Sequence, residues 1–192
     1  MENKVPEKEI KAAVKLGKAE RIKNIMVGAI IDMGDKEPLL LRRKHSKKHL
    51  TKFELPCGLV KGREKVETAI VRVVSETTGL EVESIESYVD SCTFDLEDPY
   101  EEWSYDLKEG YKAYRKKRAY QLNFVVKVKP GGQVTLSKDY MGYVTYPVHT
   151  REYMALKMPL DIRWILTEVF GTIPQEEIDK IMKEHFVNLQ EI

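Results

Sequence analysis

From Phe53 to Leu80 the chain reads FELPCGLVKGREKVETAIVRVVSETTGL, and this stretch limits the fold more than any other. Pro56, Cys57 and Gly58 open a loop, and from Val66 onward apolar side chains recur with a helical period. Counted from Val66, residues Ile70, Val73, Val74 and Thr77 fall close to the spacing of one helix face, and Gly79 suits the left-handed residue that follows a helix C-terminus. The β-branched residues Val66, Thr68, Ile70, Val71, Val73, Val74, Thr77 and Thr78 favour a strand by propensity alone. Period outweighs propensity, so the stretch is expected to be a loop followed by a helix. Lys65 stands where a Ser, Thr or Asp cap is usual and cannot accept from free backbone N–H groups, so the helix start should fray or borrow a cap.

The spacing inside this unit carries more than its structure. Gly58 is followed after five residues by Glu64, and after seven more by Arg72, with Glu76, Gly79 and Leu80 beyond. This register resembles the Nudix box, and Leu55-Pro56 with Gly58 resembles the Leu-Pro-Gly-Gly entry of that family. The resemblance implies an α/β fold, a Nudix-like α/β/α sandwich with a mixed central sheet. In Nudix hydrolases three box glutamates converge on one helix face and hold magnesium or manganese against a diphosphate; the metals neutralise oxygens and orient water. The corresponding positions here are Val73, Glu76 and Thr77, so one carboxylate of three remains.

Carried over residue by residue, the resemblance makes Glu76 and Arg72 the catalytic candidates and Glu76 and Glu64 the metal candidates. It also pairs Arg72 with Glu64 in support of the loop. Two readings follow: a non-catalytic or impaired domain that binds a nucleotide or diphosphate, or a Mg- or Mn-dependent hydrolase of a nucleoside diphosphate linked to another moiety. The second would take a further carboxylate from a downstream loop. Each residue also has a plainer role: Glu76 as a solvated helix residue, and the Glu64/Glu67 pair as first-turn complement to the helix dipole. Diphosphate isomerases of this fold use a cysteine in a motif that is missing here, and Cys57 reads as a packing or turn residue.

At 192 residues with a net charge of +1, the whole chain suits one soluble domain with no global pull towards nucleic acid or membrane. The expected division is a leading helix in 1–22, a core in 23–150 and a helical extension in 151–192. Cys57 and Cys92 form no metal pattern. No apolar run approaches the roughly 20 residues of a bilayer span, and the N-terminus MENKVPEKEIK is too polar for a secretory signal, so cytoplasmic residence is the default expectation.

Asn24 to Met33 and Pro38 to Arg42 read as neighbouring strands with Gly34-Asp35 between them. The basic segment from Arg42 to Lys52 precedes the box; Arg42 and Arg43 are candidate phosphate contacts, whereas Lys47, Lys48 and Lys52 read as solvated. His45 and His49 lack a third partner for a metal. Val82 to Phe94 reads as a strand or bent pair with Ile85, Val89 and Cys92 inward, and Ala119 to Val128 as the clearest strand. Between them, a long segment interleaves aromatics with charge; Trp103 and Tyr105 are candidates for stacking a base, and Glu97, Asp98, Glu101 and Glu102 for a replacement carboxylate. Asp139 is another available carboxylate. Residues 149–157 and 160–170 read as helices, the second closed by Gly171, followed by a last helix whose stripe from Ile178 to Leu189 would pack on the domain or on a second subunit, as in a homodimer. Too few residues remain for a DNA-binding domain.

Overall fold

Unbroken apolar runs such as VGAII and LLL suit strands covered on both faces, since alternate side chains must each find a partner. A computed structural model describes residues 11, 15, 24–44, 53–96 and 117–171. The strands are β1 (Asn24–Ile30), β2 (Leu39–Arg43), β3 (Phe53–Glu54), β4 (Cys57–Leu59), β5 (Val82–Leu96), β6 (Lys117–Val128) and β7 (Tyr140–Thr145). The helices are α1 (Val66–Thr78), α2 (Arg151–Ala155) and α3 (Leu160–Phe170). A four-stranded mixed sheet runs β4-β1-β6-β5, parallel only between β1 and β6, and a three-stranded antiparallel sheet runs β3-β2-β7.

Alternation along the strands sorts the core into two layers. Val27, Ala29, Ile31, Leu39 and Leu41 pack with Ala69, Ile70, Val73 and Val74 of α1. Ile30 and Leu40 face the other way, onto Tyr153 of α2 and Ile162, Ile165 and Leu166 of α3. The result is the α/β/α sandwich with a mixed central sheet that the sequence implied. Each fully buried aliphatic side chain in these layers contributes about 1.5–3 kcal/mol.

Helix α1 keeps its expected limits. Lys65 is extended and makes no side-chain cap, and Gly79 closes the helix at φ 71 with its N–H bonded to Ser75 O. One position differs: Thr78, not Thr77, is the buried threonine. The 3.6-residue turn carries the inner face from Val74 to Thr78, while Thr77 is half-buried and its hydroxyl donates to Val73 O at 2.7 Å.

Other elements depart from expectation for long-range reasons. β1 and β2 are consecutive yet lie in different sheets, joined by the Asp32–Pro38 bridge and flanking backbone bonds such as Leu39 N to Ile31 O. The Leu55-Pro56 entry is flanked by short strands β3 and β4 rather than being loop throughout. Register shifts near Ser84, Ser87 and Ser91 interrupt the alternation of β5, so Ile85 packs with the α1 layer and Val89 with the α3 layer. The helix expected over 149–157 is shortened to Arg151–Ala155, capped by Thr150, whose side chain accepts from Tyr153 N. Lys11 and Lys15 are helical; the rest of the leading helix, the segment with Trp103 and Tyr105, His45, His49 and the last helix lie outside the described residues. Among the described residues no helix is long and apolar enough to cross a membrane.

Tyr153 is 1% exposed and its hydroxyl has no hydrogen-bond partner among the described residues, while the Arg163 guanidinium lies over its ring, 5.3 Å from the centroid. A buried unmet hydroxyl costs about 1–3 kcal/mol, and phenylalanine keeps the ring contacts without it. Tyr153→Phe is therefore expected to hold or raise the urea unfolding midpoint by up to about 1 kcal/mol of stability. A loss above that size would show that the hydroxyl has a partner.

Candidate functional site

The turn after β4 brings Leu59, Lys61 and Glu64 under the first turns of α1, and one side chain ties them together. Arg72 donates from Nε to Glu64 Oε1, and from Nη2 to Glu64 Oε2 and to the Leu59 carbonyl, each at 2.8 Å. Its Nη1 donates to Glu76 Oε2, also at 2.8 Å. Glu64 further accepts from Lys61 N at 2.9 Å. The side chains of Arg72 and Glu64 are 21% and 12% exposed, so the expected pair is a forked, largely sheltered ion pair. The Arg72 bonds, then the Lys61 N–H, hold the Glu64 carboxyl down from about 4.5 to about 2. Glu64 in turn raises the Arg72 guanidinium above its ordinary value.

Glu76 is arranged differently. It is half exposed, with Oε2 on Arg72 and Oε1 receiving the Lys61 ammonium at 3.3 Å, so one carboxylate faces two protein cations. Arg72 first, with help from Lys61, lowers its pKa. Val73 lies inside the core, and a Cβ added at Gly58 would sit 2.8 Å from its Cγ2. The loop glycine thus lets the helix approach through an apolar contact where the box pattern has a carboxylate. Thr77 turns its hydroxyl back to its own helix. Among the described residues, no group of three His, Cys, Asp or Glu is placed to hold a metal ion. The donor set does not fit a multi-carboxylate metal centre.

Beside the box lies a group that includes one residue the sequence reading missed. Glu54 Oε1 accepts from Arg43 Nε at 2.9 Å, Arg43 Nη2 at 2.7 Å and Tyr140 Oη at 2.9 Å, with Cys57 Sγ at 3.9 Å. Burial opposes the Arg43 charge, but Glu54 more than offsets it and raises the guanidinium pKa. Burial pushes the Cys57 thiol and Tyr140 phenol well above their ordinary values, so both are held as protonated donors. Glu54's place immediately before Leu55-Pro56 was the available signal. Arg42 is partly buried, and its Nε is buried with no hydrogen-bond partner among the described residues. Asp139 serves through its backbone, accepting from Lys44 N.

A concavity opens between β5 and α3. It encloses about 290 Å³ and is lined by Asp90, Ser91, Cys92, Thr93, Asp161, Trp164 and Ile165. Behind it, Gln121 and Asn123 of β6 are buried amides, with Gln121 Nε2 donating to Asn123 Oδ1 at 2.7 Å. Asn123 Nδ2 donates to Asp90 O at 3.2 Å and reaches Cys92 Sγ at 3.6 Å. Burial pushes the Cys92 thiol up to about 12. A Cβ on Gly28 of neighbouring β1 would lie 2.4 Å from Asn123 Oδ1 and 2.5 Å from Gln121 Nε2, so glycine makes the room for both amides. Two amides inside the apolar run AYQLNFVV were the sequence signal for this cavity.

A family model described as NUDIX domain matches residues 23–139. No curated protein matches the chain. Among solved structures, the chain is similar to the MutT protein of Methanosarcina mazei, at 22% identity over 76% of this chain and 91% of that one, with a TM-score of 0.58. It is similar to the MutT NUDIX hydrolase of Burkholderia pseudomallei, at 16% identity over 76% and 97%, TM-score 0.56. It also resembles the NUDIX domain of Shewanella oneidensis NrtR complexed with ADP ribose, at 14% identity over 79% and 89%, TM-score 0.54. At these identities the structural likenesses speak for the fold.

Two outcomes follow from the geometry. Glu64 has a depressed folded-state pKa, so its stabilisation is fully present above about 4.5 and is lost as pH falls through about 2. Urea midpoints measured from pH 5 down to 2 should therefore fall less steeply in Glu64→Gln than in the native protein; parallel slopes would remove Glu64 as a source of acid sensitivity. Gly28→Ala should destabilise the fold by about 1–3 kcal/mol through overpacking, and an unchanged unfolding midpoint would mean that the amide pair can move aside.

Proposed function

Because the chain belongs to the Nudix family, we propose that it is a nucleotide- or diphosphate-binding domain whose box no longer assembles a catalytic metal cluster. The observation that carries this reading is the state of the metal face: Val73 is packed against the loop glycine, Thr77 is bonded to its own helix, and Glu76 is neutralised by Arg72 and Lys61. Nudix hydrolases generally use divalent cations, and these side chains do not supply the converging oxygens that such ions need.

For the anionic part of a ligand, Arg42 is better placed than Arg43. Arg42 Nε is buried with no partner among the described residues, whereas Arg43 is already committed to Glu54. Trp103 and Tyr105 remain candidates for stacking a base.

One observation favours the alternative, a Mg- or Mn-dependent hydrolase of a nucleoside diphosphate linked to another moiety. The Glu76–Lys61 bridge is largely exposed, and such pairs are worth about 0–1 kcal/mol, so Glu76 could exchange its partner at little cost. In that reading Glu76 and Glu64 are the metal-facing carboxylates, and Arg72 holds them in place.

Calorimetric titration separates the two readings. With magnesium or manganese, alone and beside a non-hydrolysable nucleoside diphosphate analogue, the binding-domain reading expects no metal heat alone and nucleotide binding that EDTA leaves unchanged. Metal binding that appears with the nucleotide, together with hydrolysis lost in Glu76→Gln, would establish the hydrolase instead. The double substitution Val73→Glu with Thr77→Glu should create manganese affinity in a folded protein, because it returns two carboxylates to the face of Glu76.

A further inference from the structure

We propose that Lys61 is the cation that meets the diphosphate at the box, standing where a metal ion would and keeping one off Glu76. This rests on the nucleotide-binding reading and adds to it the side chain that makes such binding independent of metal.

The balance of charge along the loop-helix unit points this way. From Gly58 to Gly79 the cations are Lys61, Arg63, Lys65 and Arg72, and the carboxylates are Glu64, Glu67 and Glu76. Glutamates at positions 73 and 77 would make the same stretch acidic. A diphosphate approaching an acidic face needs divalent ions in between, whereas this face offers it no net repulsion.

Geometry singles out Lys61 among the four cations. Arg72 is spent on Glu64, Glu76 and the Leu59 carbonyl. Lys61 Nζ lies 3.3 Å from Glu76 Oε1, while Arg72 Nη1 holds the other oxygen, Oε2, at 2.8 Å. A magnesium ion on Glu76 would need a carboxylate oxygen at about 2.0–2.1 Å, so it would have to displace one of these two cations, and Lys61 is the more exposed. An ammonium carries three donors. The bond to Glu76 uses one of them, and at 65% exposure the side chain leaves the others open to phosphate oxygens.

The stem of this side chain starts from a fixed point. Lys61 N donates to Glu64 Oε2 at 2.9 Å, Lys61 O accepts from Glu64 N at 2.8 Å, and Glu64 is itself held by Arg72. A plainer account makes the Lys61–Glu76 contact a surface ion pair worth about 0–1 kcal/mol and nothing more. The two accounts differ in what happens to anion binding when either partner is removed.

The test is calorimetry of inorganic pyrophosphate with the full chain in EDTA. The native protein is expected to bind, and Lys61→Ala to bind at least about tenfold more weakly, the scale of a hydrogen bond between charged groups. Glu76→Gln should bind about two- to fivefold more tightly, because the carboxylate no longer competes for the ammonium. Lys65→Ala, which removes a neighbouring exposed cation, should stay within about twofold of the native protein. Lys61→Ala keeps the backbone N–H that Glu64 accepts, so its unfolding midpoint should match the native one. Unchanged affinity in Lys61→Ala, an equal loss in Lys65→Ala, or weaker binding in Glu76→Gln overturns the proposal. So does failure of the native protein to bind pyrophosphate in EDTA. The nucleotide-binding reading falls separately, on failure to bind the nucleoside diphosphate analogue either with or without metal.

Discussion

The Arg72 guanidinium joins the two halves of the loop-helix unit, and the geometry of the site depends on it. Its N–H groups close on Glu64, Glu76 and the Leu59 carbonyl, so the segment after β4 and the helix are fixed in one register. A planar guanidinium can make these bonds together because its donors are preset in a fork; a lysine could satisfy only part of the set. The pair is sheltered enough for its charges to be felt and open enough to avoid the full penalty of burial.

Seen from this contact, the box divides into residues that shape the loop-helix unit and positions where the box pattern has carboxylates. Gly58 admits the Val73 methyl, Glu64 and Arg72 lock the turn, and Gly79 ends the helix where a Cβ would approach Thr135 at 3.0 Å. Each of the four has a structural task that would persist if no metal were ever bound. Positions 73 and 77, which have no such task for a carboxylate, are the ones that hold an aliphatic residue and a self-bonded hydroxyl. Persistence of the pattern therefore argues for the fold more strongly than for hydrolysis.

What could be read in the sequence was what depends on near neighbours. The extent of α1, its glycine stop and the closure of α3 at Gly171 follow from spacing within about one to three helical turns, and the Arg72–Glu64 pair from the family resemblance. Strand partners did not follow, because nothing local tells β1 to lie between β4 and β6 rather than beside β2. The bulges that send Ile85 and Val89 to opposite layers are likewise set by the distant strand β6 that β5 pairs with. Glu54 was hidden for the same reason: its partners Arg43 and Tyr140 are 11 and 86 positions away.

The two faces of the four-stranded sheet are unequal, and that inequality bears on function. Towards α1, β1 and β6 present Val27, Ala29, Leu122, Phe124 and Val126, an apolar surface with no polar interruption among them. Towards α3 the same two strands present Gly28, Gln121 and Asn123, with a glycine in place of a side chain and two amides where aliphatic residues would pack at less cost. The two amides meet that cost by bonding each other and the Asp90 carbonyl, in room that only a glycine at position 28 leaves. This polar layer belongs to the opposite side of the sheet from α1. Valine at 73 and threonine at 77 in place of carboxylates therefore leave this layer untouched.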